Sequence, residues 1–413
     1  MSSTAMDHPI VLTEDAGGAG TGLADLASAL AAVKAVRPVL EAHQDWAEAN
    51  RQLAPEAYRA MIDAGLGRLP LPETYGGGGL RPDELLTVWE ALARIDPAAA
   101  WNLMMTSGNM QMVGPLPTEG LAEVFANGPP TIAGAMNPPL TATRVAGGWL
   151  VSGGSPFASG CHHTPWYALG AIEVRDGEPV LDPDTGAPQP FVIVIPRGDA
   201  TVIDSWHTIG MRGTGSATIE VEDLFVPDHR TWQLSQLASP HASFDHLYLR
   251  MWPMVQVHGE SIVSVGVAAS AVDALVELAG TKTASYTTAA LADRELIQYQ
   301  AGRARALVDA ARAYLHTACR AAYEEATTAP RLSDQTKMSM QLAGCFAAEA
   351  CAESVRLVHD AAGTSGIRLE APFERHLRDA LTLSQHASKA SSRYASAGRL
   401  LFGLPNDWIF LSF

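Results

Sequence analysis

The chain has 413 residues, 47% of them hydrophobic and only 17% charged, with a formal net charge of -16. That length supports two or three domains, and that apolar share supports a large buried core. An acidic chain with no basic run does not displace counterions from phosphates, which excludes nucleic-acid partners and anionic membrane surfaces and fits a soluble cytoplasmic protein.

Residues 1–22 are rich in Gly and lack the basic region and apolar stretch of a secretory signal, so they read as a flexible N-terminus. The spacing of Leu23, Leu26, Leu30 and Val33 predicts a helix over 23–49, bent or divided at Pro38. A second helix opens at Pro55, and Gly65 and Gly67 mark its stop. Pro72 to Gly79 is a loop, and Pro82 opens the helix PDELLTVWEALARI, with Leu85, Leu86, Trp89, Leu92 and Ile95 on one face. Helical character continues through 97–112 and 119–126, giving an all-helical N-terminal domain, 23–128.

From Thr131 the pattern changes to short apolar runs punctuated by Gly, Pro and Asp. Strands are predicted at 131–136, 149–153, 166–174, 191–195, 201–206 and 218–226, in a middle domain spanning 129–240. No strand–helix–strand alternation occurs, so a small sandwich or barrel fits better than a dinucleotide-binding sheet. From Glu260 long helical periods return at 260–279, 293–327, 333–360 and 372–402, predicting a four-helix bundle in a C-terminal domain, 241–413. The apolar stretch from Ile262 to Val276 contains Asp273, is too short to span a bilayer, and reads as a core helix. Cys161, Cys319, Cys345 and Cys351 form no CxxC pair and read as buried free thiols. The fold class expected is mainly α with a central β domain.

Three segments carry a family resemblance. GGWLVSGGSPFASGCHHTPWYALGA (147–171), WHTIGMRGTGSATIEVEDLFVPDHR (206–230) and RHLRDALTLSQHASKASSRYASAGRLLFG (375–403) resemble, in that order, the flavin-side strand, the GMRGT-type hallmark and the closing helices of the acyl-CoA dehydrogenase superfamily. FASGC followed by a histidine pair resembles the two-component flavin monooxygenases of that superfamily, such as the p-hydroxyphenylacetate hydroxylase oxygenase components, dibenzothiophene monooxygenase and amino-sugar N-oxygenases. The resemblance implies reduced FMN or FAD from a separate flavin reductase, dioxygen added at flavin C4a, a small aromatic substrate such as a phenol, and a homotetramer. Dehydrogenases of the superfamily carry a catalytic Glu shortly after an Arg-Asp-Ala motif. Counting from Arg378-Asp379-Ala380, the matching position is Ala387, which has no titratable group, and His386 precedes it. Other members place the base earlier, near Glu260, so three alternatives stand: a dehydrogenase with Glu260 as base, an N-oxygenase, and a non-catalytic scaffold. A Glu at a helix start also simply complements the dipole.

The resemblance implies the site residues as follows. His386, on the last predicted helix with Leu383 and Tyr394, is the expected proton acceptor, since imidazole is suited to that role near neutrality. Ser159 is expected to hydrogen-bond the flavin near its reactive edge, with Gly160 permitting close approach to the ring. Asn137, before Pro138-Pro139, is expected beside the flavin, although a turn role explains it equally. Trp206, opening the GMRGTGS strand, is expected to pack on the isoalloxazine, and Thr214 and Ser216 to donate to phosphate or ring atoms. Arg294, with Gln298, lies on a helix that reaches a neighbouring subunit's flavin in relatives. Trp101, Asn102 and Ser107 are expected on the substrate side, with Met104, Met105, Met110 and Met112 as core. His162 and His163 point to opposite faces of a strand, and His163 is the one expected at the substrate. No HxxxH or HExxH spacing occurs, so no metal site is expected.

Overall fold

In the computed structural model, which describes residues 23, 25–183, 186–234, 247–283 and 288–411, the chain runs helices, then strands, then helices. Residues 1–22 lie outside the described residues. Helix α1 (Leu26–Asn50) is capped by Asp25, whose carboxylate accepts the Ser28 N–H. It continues unbroken through Pro38, because Lys34 and Pro38 lie on its exposed side, where the carbonyl that loses its partner faces water. Helices α2 (Pro55–Asp63), α3 (Pro82–Ala93) and α4 (Pro97–Gly108) each open on proline, where a missing N–H has no intrahelical partner to lose. Asp96 caps α4 by accepting the N–H groups of Ala98 and Ala99. Helix α4 is buried on nearly all sides, so it lies between the other layers instead of on the surface. Helix α5 (Thr118–Val124) ends the section.

The strands are β1 (Ile132–Val145), β2 (Gly148–Ala158), β3 (Trp166–Arg175), β4 (Glu178–Pro179), β5 (Pro190–Pro196), β6 (Thr201–Ile203), β7 (Ala217–Pro227) and β8 (Thr231–Gln233). Their order is β6-β7-β2-β1-β3-β5-β8, with β4 paired to β3. Only β1 and β3 run parallel among these pairs. Strand β2 extends well beyond the predicted 149–153. Its Gly153, Gly154 and Pro156 read as turn signals, yet they sit at two register shifts against β7, where an extra residue is absorbed without ending the strand. Strand β1 shifts register between Ala135 and Leu140, around two prolines that cannot donate to a ladder. The predicted strand over 201–206 ends at Ile203, which leaves Trp206 in a loop rather than on a strand.

Helices α6 (Leu247–Thr281), α7 (Glu295–Thr328) and α8 (Asp334–Ala362) pack side by side. The last predicted helix, 372–402, divides into α9 (Phe373–Leu383) and α10 (Ser392–Leu401). The break falls in SQHASKAS, where Ser384 bonds back to the Leu381 carbonyl and His386 bonds to Ser388, local partners that compete with the helical ladder. His386 therefore lies in a connecting loop, not on a helix. Helix α6 begins well before Glu260, so that carboxylate, 2% exposed, sits deep in mid-helix and does not complement a helix start. The stretch Val255–Thr281 is long and apolar enough to cross a membrane, contrary to the shorter estimate above, but it packs against α3, α7 and α8 as a core helix. A Cβ on Gly259 would come within 2.9 Å of Met104 and 3.0 Å of Trp89, so this glycine is what lets α6 press onto α3 and α4. One core unites α1–α4 with the bundle through Leu85, Trp89, Val263, Leu275, Val308 and Val355, and a separate one fills the sheet around Tyr167, Phe191 and Ile219.

Candidate active site

Two walls meet where the end of β2 faces the loop between α9 and α10. The first is built on hydroxyls. Strand β2 ends at Ala158 in a tight turn in which Phe157 (φ 63°) and Gly160 (φ 77°) both take left-handed backbone. Ser159, 4% exposed, accepts a hydrogen bond from the Trp101 indole N–H (2.9 Å) and lies 2.8 Å from the Ser216 hydroxyl. Ser216 in turn lies 2.8 Å from the Thr214 hydroxyl, which donates to the Met211 carbonyl at 2.8 Å. That carbonyl also accepts the Trp206 indole N–H at 3.1 Å. Met211, itself left-handed at φ 52°, donates its N–H to the buried carboxyl of Asp379 at 2.5 Å. Burial drives the Asp379 carboxyl up to about 7, with Glu48 adding to the shift and the Met211 N–H and Arg378 opposing it.

The second wall is ionic. His386 Nδ1 lies 2.9 Å from Glu260 Oε2 and 2.8 Å from the Ser388 hydroxyl, which itself donates to the same carboxylate oxygen. Burial raises the Glu260 pKa, yet His386, Lys389 and Ser388 outweigh it and hold the carboxyl below its ordinary value. A carboxylate at Nδ1 keeps a proton there in the neutral imidazole and leaves Nε2 as the acceptor. Nε2 has no hydrogen-bond partner among the described residues. Lys389, 2% exposed, donates to the Glu260 backbone carbonyl (2.7 Å) and the Ser264 hydroxyl (3.3 Å). The Trp101 ring joins the walls: the Lys389 ammonium lies 5.4 Å from its centre, and the His386 ring meets it edge-on at 5.5 Å.

Between them is a cavity of about 220 Å³ lined by Trp101, Met105, Phe157, Ser159, Trp206, Thr214, Ser216, Leu383 and His386, among others. Larger cavities exist, of about 330 Å³ beside Asp96 and Arg375 and about 520 Å³ beside Tyr58 and His163. The smaller one alone combines an apolar interior, convergent hydroxyls and a carboxylate-backed imidazole, which is what selects it.

The structure brings Trp101, Ser159, Trp206, Thr214, Ser216 and His386 together. Others fall elsewhere. The residues around His163 form a turn, not a strand, so His162 and His163 line the same 520 Å³ cavity, where His163 stacks on Tyr58 (4.7 Å). Burial, aided by His162 and Arg197, lowers His163 to about 4. Ser107 donates back along its own helix to the Leu103 carbonyl, and Asn102, fully buried, has no partner among the described residues for either side-chain amide atom. Neither lines the cavity, because the face of α4 that does so carries Trp101 and Met105, four residues apart. What stands over Gly160 is Thr106, whose Cγ2 would lie 2.4 Å from an added Cβ. Arg294 is exposed at the head of α7, away from this cavity, and Gln298 bonds the Ala292 carbonyl. The side chain of Asn137 lies outside the described residues. Sequence reasoning missed Ser388, Lys389, Asp379 and the pairing of Glu260 with His386. The one signal available was polar crowding in HASK after the Arg-Asp-Ala motif.

Fold and site together define a helical flavoprotein oxidoreductase. Residues 23–124 match the model for the acyl-CoA dehydrogenase N-terminal domain, and residues 258–390 match that for the acyl-CoA dehydrogenase C-terminal domain. The chain belongs to the acyl-CoA dehydrogenase family, and within it groups with the two-component flavin-dependent monooxygenases. It is 29% identical over 385 residues to the indole-3-acetate monooxygenase of Pseudomonas putida, covering 91% of this chain and 95% of that protein. It is 27% identical to the FADH(2)-dependent resorcinol hydroxylase, oxygenase component, of a Rhizobium species, covering 83% and 85%. Among solved structures, XiaF from Streptomyces sp. in complex with FADH2 and glycerol superposes with a TM-score of 0.85 at 26% identity, covering 93% of this chain and 97% of that one.

The residues fit a flavin. An isoalloxazine has one polar edge and two apolar faces, and the cavity offers the Ser159, Thr214 and Ser216 hydroxyls beside Trp101, Trp206, Met105 and Leu383. Phe157 is held at positive φ, is 66% exposed and meets Trp206 edge-on, and Ile209 is 63% exposed. A strained, solvent-facing aromatic at a cavity mouth is the mark of a surface that a ligand covers.

Proposed function

We propose that this chain is an oxygenase component that takes reduced FMN or FAD from a separate reductase and uses dioxygen to hydroxylate a small aromatic substrate. The names of the indole-3-acetate and resorcinol relatives support the substrate class. The observation that carries the reading is the Glu260–Ser388–His386 arrangement at the cavity wall. When bound, the reduced flavin supplies two electrons and activates dioxygen, one atom of which enters the substrate while the other leaves as water. Ser159, Ser216 and Thr214 hold the polar edge of the ring. Trp101, Trp206 and Phe157 cover it and exclude water. His386 Nε2 takes the proton that an aromatic hydroxyl or ring N–H gives up as it is oxygenated, while Glu260 fixes the tautomer and stabilises the imidazolium formed.

A dehydrogenase using Glu260 as base is disfavoured by the same geometry, since the carboxylate is occupied behind the imidazole and does not line the cavity. Arg294 contributes only from a neighbouring subunit, in a cytoplasmic homotetramer. Exposed Ile367, Leu369, Leu401 and Phe402 support assembly, and light scattering should give about four times the 43.7 kDa chain mass. The test of the reaction is His386→Asn. Product formation should fall by about 10²–10⁴-fold while reduced-flavin affinity is kept. Unchanged turnover would contradict the assignment.

A further inference from the structure

Lys389 is buried without an ion-pair partner among the described residues: its ammonium touches the Glu260 backbone carbonyl and the Ser264 hydroxyl, not the Glu260 carboxylate. A lysine whose role were only to fill space would be better served by Met or Leu, since burying an ammonium is costly. What the charge does instead is visible around it. It lies over the face of Trp101, whose edge meets His386 and whose N–H is committed to Ser159. It also sits one residue beyond Ser388, which bonds Glu260. We propose that Lys389 is a positioning residue whose buried ammonium, bound to the Glu260 backbone carbonyl, anchors that helix turn behind His386 and fixes the Trp101 ring against the Ser159 hydroxyl, so that base and cofactor hydroxyls keep one register.

The charge is conditional. Burial lowers Lys389 to about 8, with Glu260 opposing the shift. The titratable groups facing it are Glu260 from α6, Cys345 and Cys351 from α8, and His386 from its own loop. Burial pushes both thiols up, Cys351 to about 12, so neither supplies a counter-charge near neutrality. As pH rises through about 8, Lys389 loses its proton, and with it the cation over the Trp101 ring and the charge on its bond to the Glu260 carbonyl.

The activity arm of the test rests on the oxygenase reading and uses indole-3-acetate and resorcinol as probes, with a flavin reductase supplying reduced flavin. Product per reduced flavin consumed should fall between pH 7 and 9 in the wild type. Lys389→Arg, which keeps its charge, should hold the pH 7 yield at pH 9. Lys389→Met should be roughly tenfold lower at both, the scale of a desolvated cation–π contact. A Lys389→Met enzyme with wild-type yield, or a Lys389→Arg enzyme with the wild-type alkaline fall, overturns the proposal. The second arm needs neither substrate nor flavin, and so separates failure of this proposal from failure of the oxygenase reading. The chain has only Lys34, Lys282, Lys337 and Lys389, so carbon-13 lysine spectra of the ligand-free protein can follow each. A resonance titrating near pH 8, absent in Lys389→Arg and moved to lower pH by Glu260→Gln, is expected. Four lysines titrating in the ordinary range, or no response to Glu260→Gln, would sink the link between the two residues.

Discussion

Ser159 and Ser216 are neighbours with different duties, and their alanine variants should separate them. Ser159→Ala leaves the Trp101 indole N–H without its acceptor in a buried setting, which costs about 1–3 kcal/mol of stability. Ser216→Ala keeps that bond and should cost less. Both remove a hydroxyl from the cofactor edge, so both should weaken reduced-flavin binding in an anaerobic titration, while only Ser159→Ala shifts the urea midpoint strongly. Equal midpoints would show that the Trp101–Ser159 bond carries no stability. At this scale the sequence was informative where one motif held several site residues, as in FASG and GMRGTGS, and where a base was missing, as at Ala387. It was misleading where facing had to be guessed. Asn102 and Ser107 flank the right residue on the right helix, yet only Trp101 and Met105 turn toward the cavity. Nothing in the sequence separates those faces, because α4 is buried nearly all round and so lacks an amphipathic pattern.

The element that matters most is the loop between α9 and α10. It carries His386, Ser388 and Lys389, while α9 itself carries Asp379, which holds the left-handed Met211 peptide in place. Asp379 thus ties the bundle to the loop that presents Thr214 and Ser216. Its folded-state pKa, raised to about 7, lies above the unfolded value of 3.8. Its contribution to stability is therefore complete below pH 3.8 and is lost as pH rises through about 7. Asp379→Asn accepts the same N–H without titrating, so its stability relative to wild type should grow between pH 4 and pH 8 in urea unfolding. A difference that stays constant with pH would mean that Asp379 ionises normally. The long helical period over 372–402 gave no sign of this break. Ala, Leu and Arg on either side keep the helical pattern running, and only the serines and His386, through their side-chain bonds, end it.

For the whole molecule, the order of layers was legible because hydrophobic spacing changes from helical to short, Gly- and Pro-punctuated apolar runs near Thr131 and back to helical from Glu260. Strand extents were not, since glycines and prolines that ordinarily end strands are accommodated in β1 and β2 as register shifts. The position of Glu260 was not legible either, because nothing in the sequence shows that α6 already runs well before it, and tertiary packing at Gly259 brings it against α4. The two halves of the cavity come from segments more than 200 residues apart, at Ser159 and His386, so the site exists only once sheet and bundle have docked. The central claim, that these halves enclose a reduced flavin and direct one oxygen atom to an aromatic substrate, is tested most directly by single turnover with isotopic dioxygen. Protein loaded anaerobically with reduced FMN or FAD is mixed with ¹⁸O₂ and indole-3-acetate or resorcinol, and the product is weighed by mass spectrometry. The account predicts product carrying a single ¹⁸O atom, formed by the wild type and largely lost in His386→Asn. A protein that instead retains oxidised FAD, is bleached by an acyl-CoA thioester without any reductase, and incorporates no ¹⁸O would contradict it.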